Sequence, residues 1–472
     1  MFLMELMKKQ TFLLLVVLGL ILRFTAFWLM PSNLAEDAGN YHEIAVNLIK
    51  TGKYVGSEGL AYRPPLQPIF LAGIYKTLGV NPAIASIVQI VLSLLTAVMI
   101  GEISYEVRSI SYELKKKKDN RYEIWDKEIK EGEKFRGIDW LAVGLALFSF
   151  DLALFSPLLM SETLFIFLTV LGFWFLLKDY SLFPASPAGG TIHYSLAFLC
   201  FGLSVLVKPM ILPALLIVVF LILKKRFKQN YLLFIIYYLL FIAPSVLWSV
   251  RNTLIFKRPV FISTNSGWNF YVGNNIYSKG TYDKETEKGI ELTKNMSELE
   301  KNNFYQREGL KFVKEHPDKA LLNVIRKPFY LFAAFGGSAE GLIVRSYEKG
   351  NYSFKNLAKL FFGVGQILSY YLILFGAIYF FVSKNKHKKF IRHSLFMVHY
   401  SLFYILALLP FFTFPRFRIP LLPFMIIFAS QGIRNFFQEK KKFNRRFLFS
   451  FFLFVILIIR DIWKIILFVQ RY

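Results

Sequence analysis

The sequence has little cysteine and little histidine, and both shortages exclude classes of site. Its one cysteine, Cys200, excludes a disulfide within the chain and a metal site built from several thiolates. Cys200 lies in an apolar run, so we interpret it as a small core or lipid-facing residue. The six histidines form no His-rich group. His42 with Asp37 or Glu58 is the nearest candidate for a metal site, and a hydrogen-bonded interfacial histidine is the simpler interpretation.

The sequence also lacks internal repeats, low-complexity tracts and a small-residue cleavage site. The first apolar run follows Lys8 and Lys9 and ends at Met30-Pro31. Small residues would be expected at that end if a signal peptide were removed. We therefore expect a retained first membrane helix.

Apolar and aromatic residues are abundant. The sequence is 55% hydrophobic and 18% aromatic, with 52 Phe among 472 residues. Apolar runs of about 18 residues or more recur, and a helix of this length crosses a bilayer. The sequence therefore predicts an all-α polytopic membrane protein with about 11 transmembrane helices, in a range of roughly 10 to 13. The predicted spans are 11–30, 83–106, 139–156, 159–177, 193–207, 209–223, 230–249, 356–382, 393–413, 417–434 and 447–468.

The distribution of the +26 net charge favours a membrane over nucleic acid as the partner. Lys and Arg gather between the apolar runs, as positive-inside loops do, and some can meet anionic lipid headgroups. Lys8 and Lys9 place the N-terminus in the cytoplasm, and alternation of the spans then puts five connecting segments, all but the second strongly basic, on the inner side. These segments are 108–136, 178–193, 224–228, 384–392 and 440–446. We predict a multi-pass protein of the cell inner (plasma) membrane, with its active site on the extracytoplasmic side.

Two stretches outside the spans are long enough to matter for function. The first outer loop, 31–82, belongs to a membrane module over 1–250. The outer segment, 251–355, ends in an apolar stretch, 329–335, that we predict to lie in the membrane interface as part of an amphipathic helix. The remaining spans form a C-terminal module, 356–472.

Charged residues from distant parts of the sequence fall on the same predicted outer side. Two carboxylates, Glu36 and Asp37, follow the first span, and acids at the mouth of a membrane helix are costly and mark a function. The others are Arg63, Glu162, Lys208, Arg251, Arg416 and Arg418. Arginine forks bind a lipid phosphate in bidentate fashion, and a carboxylate nearby can take a proton from an attacking hydroxyl or amine. The group therefore predicts a site with Asp37 as base. Arg63, Lys208, Arg251 and Arg416 are the candidates to hold phosphate.

These residues also have simpler interpretations. Arg and Lys at helix ends often only extend to lipid headgroups. Asp37 is a suitable N-cap for the helix-like stretch 38–49, which carries Tyr41 on its apolar face, and capping does not exclude catalysis. Glu162 is also suited to cap the fourth span, and Pro64 and Pro65 to stiffen a turn.

Several of these residues stand in motifs that resemble the polytopic GT-C glycosyltransferases. The resemblance is to the group of protein O-mannosyltransferases and the bacterial aminoarabinose transferase to lipid A (glycosyltransferase family 39-like). That pattern has an acidic residue after the first helix, then Tyr and an A-x-x-L-x-x-x-G-x-Y helix, here Asp37, Tyr41 and 45–54. Further similar elements follow in order over about residues 12 to 435. They are Arg63-Pro64-Pro65-Leu66-x-Pro68, Ser161-Glu162, 202–209, Arg251-Asn252 with 263–275, and Arg416-x-Arg418-x-Pro420-x-x-Pro423.

The resemblance implies an inverting sugar transferase that uses a polyprenyl-phosphate sugar outside the cytoplasm. Its acceptor would be lipid A, a glycan or a protein. Asp37 matches the acidic residue proposed as base, with Glu36 as the adjacent alternative, and Arg63 matches an arginine that we place near the donor phosphate. Lys208 stands where many members carry Arg. The substrate-binding set predicted in this way is Tyr41, Arg63, Glu162, Lys208, Arg251, Arg416 and Arg418. Some members bind a divalent metal, but we predict neither a metal nor another cofactor here.

Two other classes of membrane protein are alternatives. A transporter or flippase for lipid-linked saccharides would place ionisable residues near the middle of the spans. The predicted spans contain few such residues: Asp151, Glu102 and Glu106. A polysaccharide polymerase also combines many spans with a large outer loop, but the early order of Asp37 and Arg63 disfavours it. Sugar transfer from a lipid phosphate is the predicted function.

Overall fold

The structure is a computed structural model, and its described elements are helices. It describes residues 2–29, 34, 36–116, 138–181, 190–226, 231–282, 286, 288–334, 354–382, 388–438, 448, 450–452 and 454–461. The helices are α1 Phe2–Leu29, α2 Glu36–Thr51, α3 Leu66–Leu78, α4 Pro82–Lys116, α5 Trp140–Leu147, α6 Phe150–Phe155, α7 Ser161–Ser181, α8 Gly190–Val207, α9 Leu212–Arg226, α10 Tyr231–Phe256, α11 Ser266–Gly273, α12 Lys288–Leu292, α13 Glu298–Glu315, α14 Pro317–Leu331, α15 Phe354–Val382, α16 Lys388–Leu408 and α17 Leu422–Gln438. Two 3-10 helices are Pro209–Ile211 and Pro415–Leu421. The prediction of an all-α protein is confirmed.

Within the described residues, six helices are long and apolar enough, by length and composition, to cross a membrane. They are Gln10–Leu29, Pro82–Ser109, Ser161–Lys178, Tyr231–Phe256, Leu357–Val382 and Pro415–Gln438. Three shorter apolar helices, Ile192–Val207, Pro209–Lys224 and Leu395–Leu408, fall on further predicted spans. The chain is a multi-pass membrane protein, as predicted.

One predicted span differs from the structure, and another extends beyond the described residues. The span 139–156 is divided into α5 and α6, because the Ser149 hydroxyl accepts a hydrogen bond from the Leu152 amide and begins a new helix. Hydropathy does not register such a cap inside an apolar run, so the prediction of one helix was wrong there. The span 447–468 is helical at the described positions up to 461, and its remainder lies outside the described residues.

Helices α15 and α17 cross with their backbones in contact. A Cβ added at Gly432 would overlap the carbonyl oxygen of Gly376, and one added at Gly376 would lie 2.9 Å from the Ala429 carbonyl oxygen. Small residues allow this close approach, which matters in a bilayer because packing rather than the hydrophobic effect brings membrane helices together. The crossing fixes α17 against the rest of the bundle.

Buried charges tie the helices together inside the bundle. Arg23, fully buried in α1, donates to Ser93 Oγ on α4 and to the carbonyl oxygen of Leu147 on α5, each at 3.0 Å. Asp139, which caps α5, lies 2.6 Å from Arg434 Nη2 near the end of α17. A charge inside a bundle is costly unless it is paired or hydrogen-bonded, and both groups meet this condition.

Helix α14 of the outer segment buries two polar residues and exposes large apolar ones. Ile325 and Phe329 are exposed, whereas Asn323 and Lys327 are buried against the protein. The Lys327 Nζ donates to the carbonyl oxygen of Leu409 at 2.6 Å. This arrangement suits a helix that faces lipid. Of the stretch 329–335, residues 329–331 end this amphipathic helix and residue 335 lies outside the described residues; its place in the interface stays a prediction.

We expect Gly432→Ala to lower the free energy of unfolding in detergent by on the order of 1–3 kcal/mol, and the melting temperature with it, because the added methyl group must separate two helices in contact. Gly144→Ala in α5 is the matched control, since nothing lies within 4 Å of a Cβ there. The control should be neutral or slightly stabilising because Ala favours helix. Equal melting temperatures for the two variants would contradict the close crossing.

Candidate active site

Five of the predicted residues meet at one end of the helix bundle. Each lies where a helix begins or ends, so the topology alone brings them together. They are Asp37 in the first turn of α2, Arg63 between α2 and α3, Glu162 in the first turn of α7, Lys208 after α8, and Arg416 in the 3-10 helix before α17.

Ion pairs connect these residues in one alternating row. Asp37 Oδ1 lies 2.6 Å from Arg63 Nη1, and its Oδ2 lies 2.9 Å from Arg416 Nη2. Glu162 Oε1 lies 2.6 Å from Arg416 Nε and 2.9 Å from Lys208 Nζ. Arg63 Nη2 lies 3.0 Å from Glu58 Oε2, which extends the row by one acid. We call this the ion-pair row: Glu58, Arg63, Asp37, Arg416, Glu162 and Lys208. Its three acids and three bases balance in charge.

Burial is graded along the ion-pair row. The exposed fraction of the acidic side chains falls from 36% at Glu58 to 26% at Asp37 and 0% at Glu162. Arg416 lies between Asp37 and Glu162 and holds both. Pro415 and Pro420 restrict the backbone of the 3-10 helix that carries it, so the base of this side chain is held in place.

One buried oxygen of the ion-pair row is unsatisfied. Within the described residues, Glu162 Oε2 has no hydrogen-bond partner, although Glu162 Oε1 accepts from two cations. A buried carboxylate oxygen without a donor is unfavourable by about 1–3 kcal/mol or more. Glu162 Oε2 can therefore accept a hydrogen bond from one further N–H or O–H group.

Asp37 is strongly held in its ionised form. Burial alone would raise the pKa of Asp37, but the guanidiniums of Arg416 and Arg63 outweigh burial and hold that pKa well below its ordinary value. The pKa of Glu58 is raised by its burial despite the nearby Arg63. Asp37 is therefore a weak proton acceptor while both arginines face it, and becomes a better one if they turn away.

Tyr41 borders the ion-pair row and is neutral. Burial and the Asp37 carboxylate raise the pKa of Tyr41 to about 12, and its hydroxyl is bonded to Ser161. The Arg63 guanidinium lies 5.7 Å from the Tyr41 ring centroid and 5.0 Å from that of Tyr62. The two rings restrict Arg63 to the plane in which it meets Asp37.

Two of the predicted substrate-binding residues, Arg418 and Arg251, do not reach the ion-pair row in the described part of the chain. Arg418 is fully buried and pairs with Asp151 at 3.0 Å, because two residues along a 3-10 helix turn it away from Arg416. Arg251 donates to the carbonyl oxygens of Tyr54 and Leu60 in the first outer loop. Glu36 begins α2, and its side chain lies outside the described residues.

Sequence reasoning missed the role of Glu58 beside Arg63. Glu58 was considered only as a metal ligand with His42, although its place five residues before Arg63 in the same loop was a usable signal. His42 Nδ1 lies 2.9 Å from Tyr75 Oη, which matches the simpler interpretation of a hydrogen-bonded histidine. Among the residues that the structure describes, no group of three or more His, Cys, Asp or Glu is arranged to hold a metal ion.

Comparison with known proteins gives matches among solved structures. No protein-family model matches the sequence, and no curated protein matches it. The chain is similar to ArnT from Cupriavidus metallidurans bound to undecaprenyl phosphate, with 13% identity over 85% of this chain and 77% of that one, at a TM-score of 0.38. The same protein in the apo state matches at 14% identity over 91% of this chain and 78% of that one, at a TM-score of 0.36.

A third match is the Archaeoglobus fulgidus oligosaccharyltransferase tethered with an acceptor peptide. Its identity is 13%, over 94% of this chain and 53% of that one, at a TM-score of 0.43. The matched proteins are GT-C glycosyltransferases, the class that the sequence motifs resemble. TM-scores below 0.5 at this identity transfer neither function nor residue roles to this chain.

Proposed function

We propose that this protein transfers a sugar from a polyprenyl-phosphate donor to an acceptor on the extracytoplasmic face of the membrane. One observation carries the proposal: Arg63, Lys208 and Arg416, from three distant stretches, surround the carboxylates Asp37 and Glu162 at one end of a membrane bundle. A phosphate on a lipid needs fixed cations at the membrane surface, and an attacking group needs a base beside them. The acceptor class is a lipid, a glycan or a protein.

The donor phosphate would compete with Asp37 for the two arginines. The acids and bases of the ion-pair row balance in charge. Its arginines are mostly buried and already oriented by the carboxylates, and these carboxylates are the groups that a phosphate would replace. A phosphate that enters beside Arg63 and Arg416 accepts their N–H groups in place of the carboxylate. Charge grows on this phosphate as it leaves the sugar, and these cations then stabilise the transition state more than the ground state.

Loss of the arginines to phosphate prepares Asp37 as the base. When Arg63 and Arg416 turn to the donor, the pKa of Asp37 rises towards its ordinary value and its carboxylate accepts the proton of the acceptor hydroxyl or amine. The bond between the sugar C1 and the phosphate oxygen breaks, and polyprenyl phosphate leaves with the electron pair. The bond between C1 and the acceptor atom forms in the same step, which inverts C1.

Glu162 is proposed to bind the sugar rather than to move a proton. Its Oε1 is held by Lys208 and Arg416, and its buried Oε2 is unsatisfied within the described residues. A sugar hydroxyl is a donor of the right kind for this oxygen. The neutral Tyr41 offers an apolar ring beside the same position.

The buried charges within the spans are the observation that would favour a transporter. Arg23 is bonded to Ser93 and Leu147, and Arg418 is paired with Asp151. A transport pathway needs ionisable groups that are free to exchange partners. These groups are instead engaged with fixed helices, which supports a structural role and leaves transfer as the better proposal.

We expect Asp37→Asn to lose sugar transfer by roughly 100-fold or more while it binds the donor at least as tightly, because both arginines are then free for phosphate. Arg416→Ala should instead weaken donor binding by roughly ten- to hundredfold. The assay is transfer and binding in proteoliposomes with a panel of polyprenyl-phosphate sugars.

Glu43→Gln is the matched control for Asp37→Asn, because Glu43 lies on the same helix and accepts from the Ser57 hydroxyl at 2.7 Å. It should keep near wild-type transfer. Near-full transfer by Asp37→Asn with any working donor would refute Asp37 as the base.

The pH dependence of stability follows from the ion pairs of Asp37. The folded pKa of Asp37 is depressed, so its ion pairs stabilise the donor-free fold fully above its ordinary pKa of about 4, and this stabilisation is lost as the pH falls below that value. We expect the melting temperature to fall on acidification from about pH 4, and to fall less in Asp37→Asn. Parallel pH profiles for the two proteins would argue against the pairing.

We further propose that transfer requires no metal ion, because Arg63, Lys208 and Arg416 already supply the positive charge for the leaving phosphate. A chelator of divalent metals is expected to leave the transfer rate unchanged. Loss of transfer on chelation, with recovery on adding back a divalent ion, would overturn this part of the proposal.

A further inference from the structure

Two charged side chains hold one peptide of the first outer loop from opposite sides. Arg251 Nη1, on α10, donates to the carbonyl oxygen of Leu60 at 2.8 Å. Glu298, the first residue of α13, accepts from the Leu60 amide at 2.6 Å through Oε2 and from the Ala61 amide at 3.0 Å through Oε1. The Thr264 amide donates to the Ala61 carbonyl oxygen at 2.9 Å. Every hydrogen-bonding group of these two residues is thus held by the outer segment and α10.

The same contacts extend to Arg63 through Tyr54. Arg251 Nη2 donates to the Tyr54 carbonyl oxygen at 3.2 Å, and the guanidinium lies 5.3 Å from the Tyr54 ring centroid. The Tyr54 hydroxyl in turn donates to the carbonyl oxygen of Arg63 at 2.9 Å. The backbone on both sides of Tyr62 is therefore fixed, which places the base of the Arg63 side chain beside Asp37.

Gly59 makes room for the acid in this arrangement. Its φ of +141° lies in a region that favours glycine, and a Cβ there would overlap the Glu298 carboxylate. The loop is therefore shaped around Glu298, and the contact is a fitted one rather than a chance meeting of surface groups.

We propose that Arg251 and Glu298 are positioning residues that set Arg63 in the ion-pair row, so that the outer segment controls the donor site through the first outer loop. The inference rests on the proposed function, since it assumes that Arg63 binds the donor phosphate. It gives Arg251 a role different from the one predicted from the sequence: Arg251 acts on the loop and does not touch phosphate. The binding site for the donor is then complete only while α13 is docked on the loop.

We call the contacts of Arg251 and Glu298 with Leu60 and Ala61 the clamp. Amide hydrogen exchange tests the clamp without any assay of activity. In Glu298→Ala, the Leu60 and Ala61 amides should exchange roughly ten- to hundredfold faster, because each loses a charged acceptor. Glu300→Ala is the matched control on the same turn of α13, where the Glu300 carboxylate accepts from the amide and hydroxyl of Ser297. Exchange at Leu60 and Ala61 should be unchanged in this control. Unchanged exchange in Glu298→Ala would overturn the clamp.

Donor kinetics then test the effect on Arg63. Arg251→Ala and Glu298→Ala should each raise the donor KM several-fold with a smaller change in kcat. Glu298→Gln should recover only part of the loss, because it keeps one of the two acceptor oxygens. The donor KM of the double variant should be no higher than that of the more impaired single variant, since both residues act on one loop. Multiplying effects would instead indicate that Arg251 binds phosphate itself. Fast exchange with an unchanged KM would refute positioning.

The two proposals fail in different ways. A wild-type protein that transfers no sugar from any donor in the panel refutes the proposed function, whereas the exchange of the Leu60 and Ala61 amides still decides the clamp. If Glu298→Ala does not fold, Glu298→Gln gives a milder form of the test: it keeps the shape of the side chain but removes one of the two acceptor oxygens, so at least one of the Leu60 and Ala61 amides should exchange faster than in the wild type.

Discussion

The guanidinium of Arg416 is the interaction on which the site depends. It bridges Asp37, near the start of the chain, and Glu162, at the start of α7, so that parts of the sequence hundreds of residues apart meet at one point. A buried acid such as Glu162 is not stable without a cation. The pairing therefore holds the N-terminal ends of α2 and α7 and the 3-10 helix before α17 at the same level.

The position of Arg416 in turn depends on how α17 is held. Arg434, near the other end of this helix, pairs with Asp139, and Gly432 lies against the backbone of α15. With this end and this face of α17 held, the 3-10 helix that precedes it and carries Arg416 is held as well. In the proposed reaction, a cation placed beforehand in this way would stabilise the transition state at little cost in reorganisation.

The sequence was sufficient for much of this arrangement and insufficient for the rest, for physical reasons. Hydropathy and the basic loops predicted the helices and the common side of Asp37, Arg63, Lys208 and Arg416, because both depend only on transfer to lipid and on charge. The direction of a side chain depends on local turns, so the prediction that Arg418 joins Arg416 was not met. The break at Ser149 and the pairing of Glu58 likewise depend on single hydrogen bonds that no window of hydropathy contains.

Helix α14, with Ile325 and Phe329 outward and Lys327 bonded to Leu409, has a consequence for the proposed lipid-linked donor. Leu409 lies shortly before the 3-10 helix that carries Arg416, so a helix α14 in the membrane interface, as predicted, would hold that arginine near the height of the lipid headgroups. Pulling an isoprenoid tail out of hydrocarbon would cost about 0.8 kcal/mol for each CH₂ exposed. With Arg416 at this height, the tail of the proposed donor would stay in the bilayer throughout the reaction, and lateral diffusion would deliver and remove it.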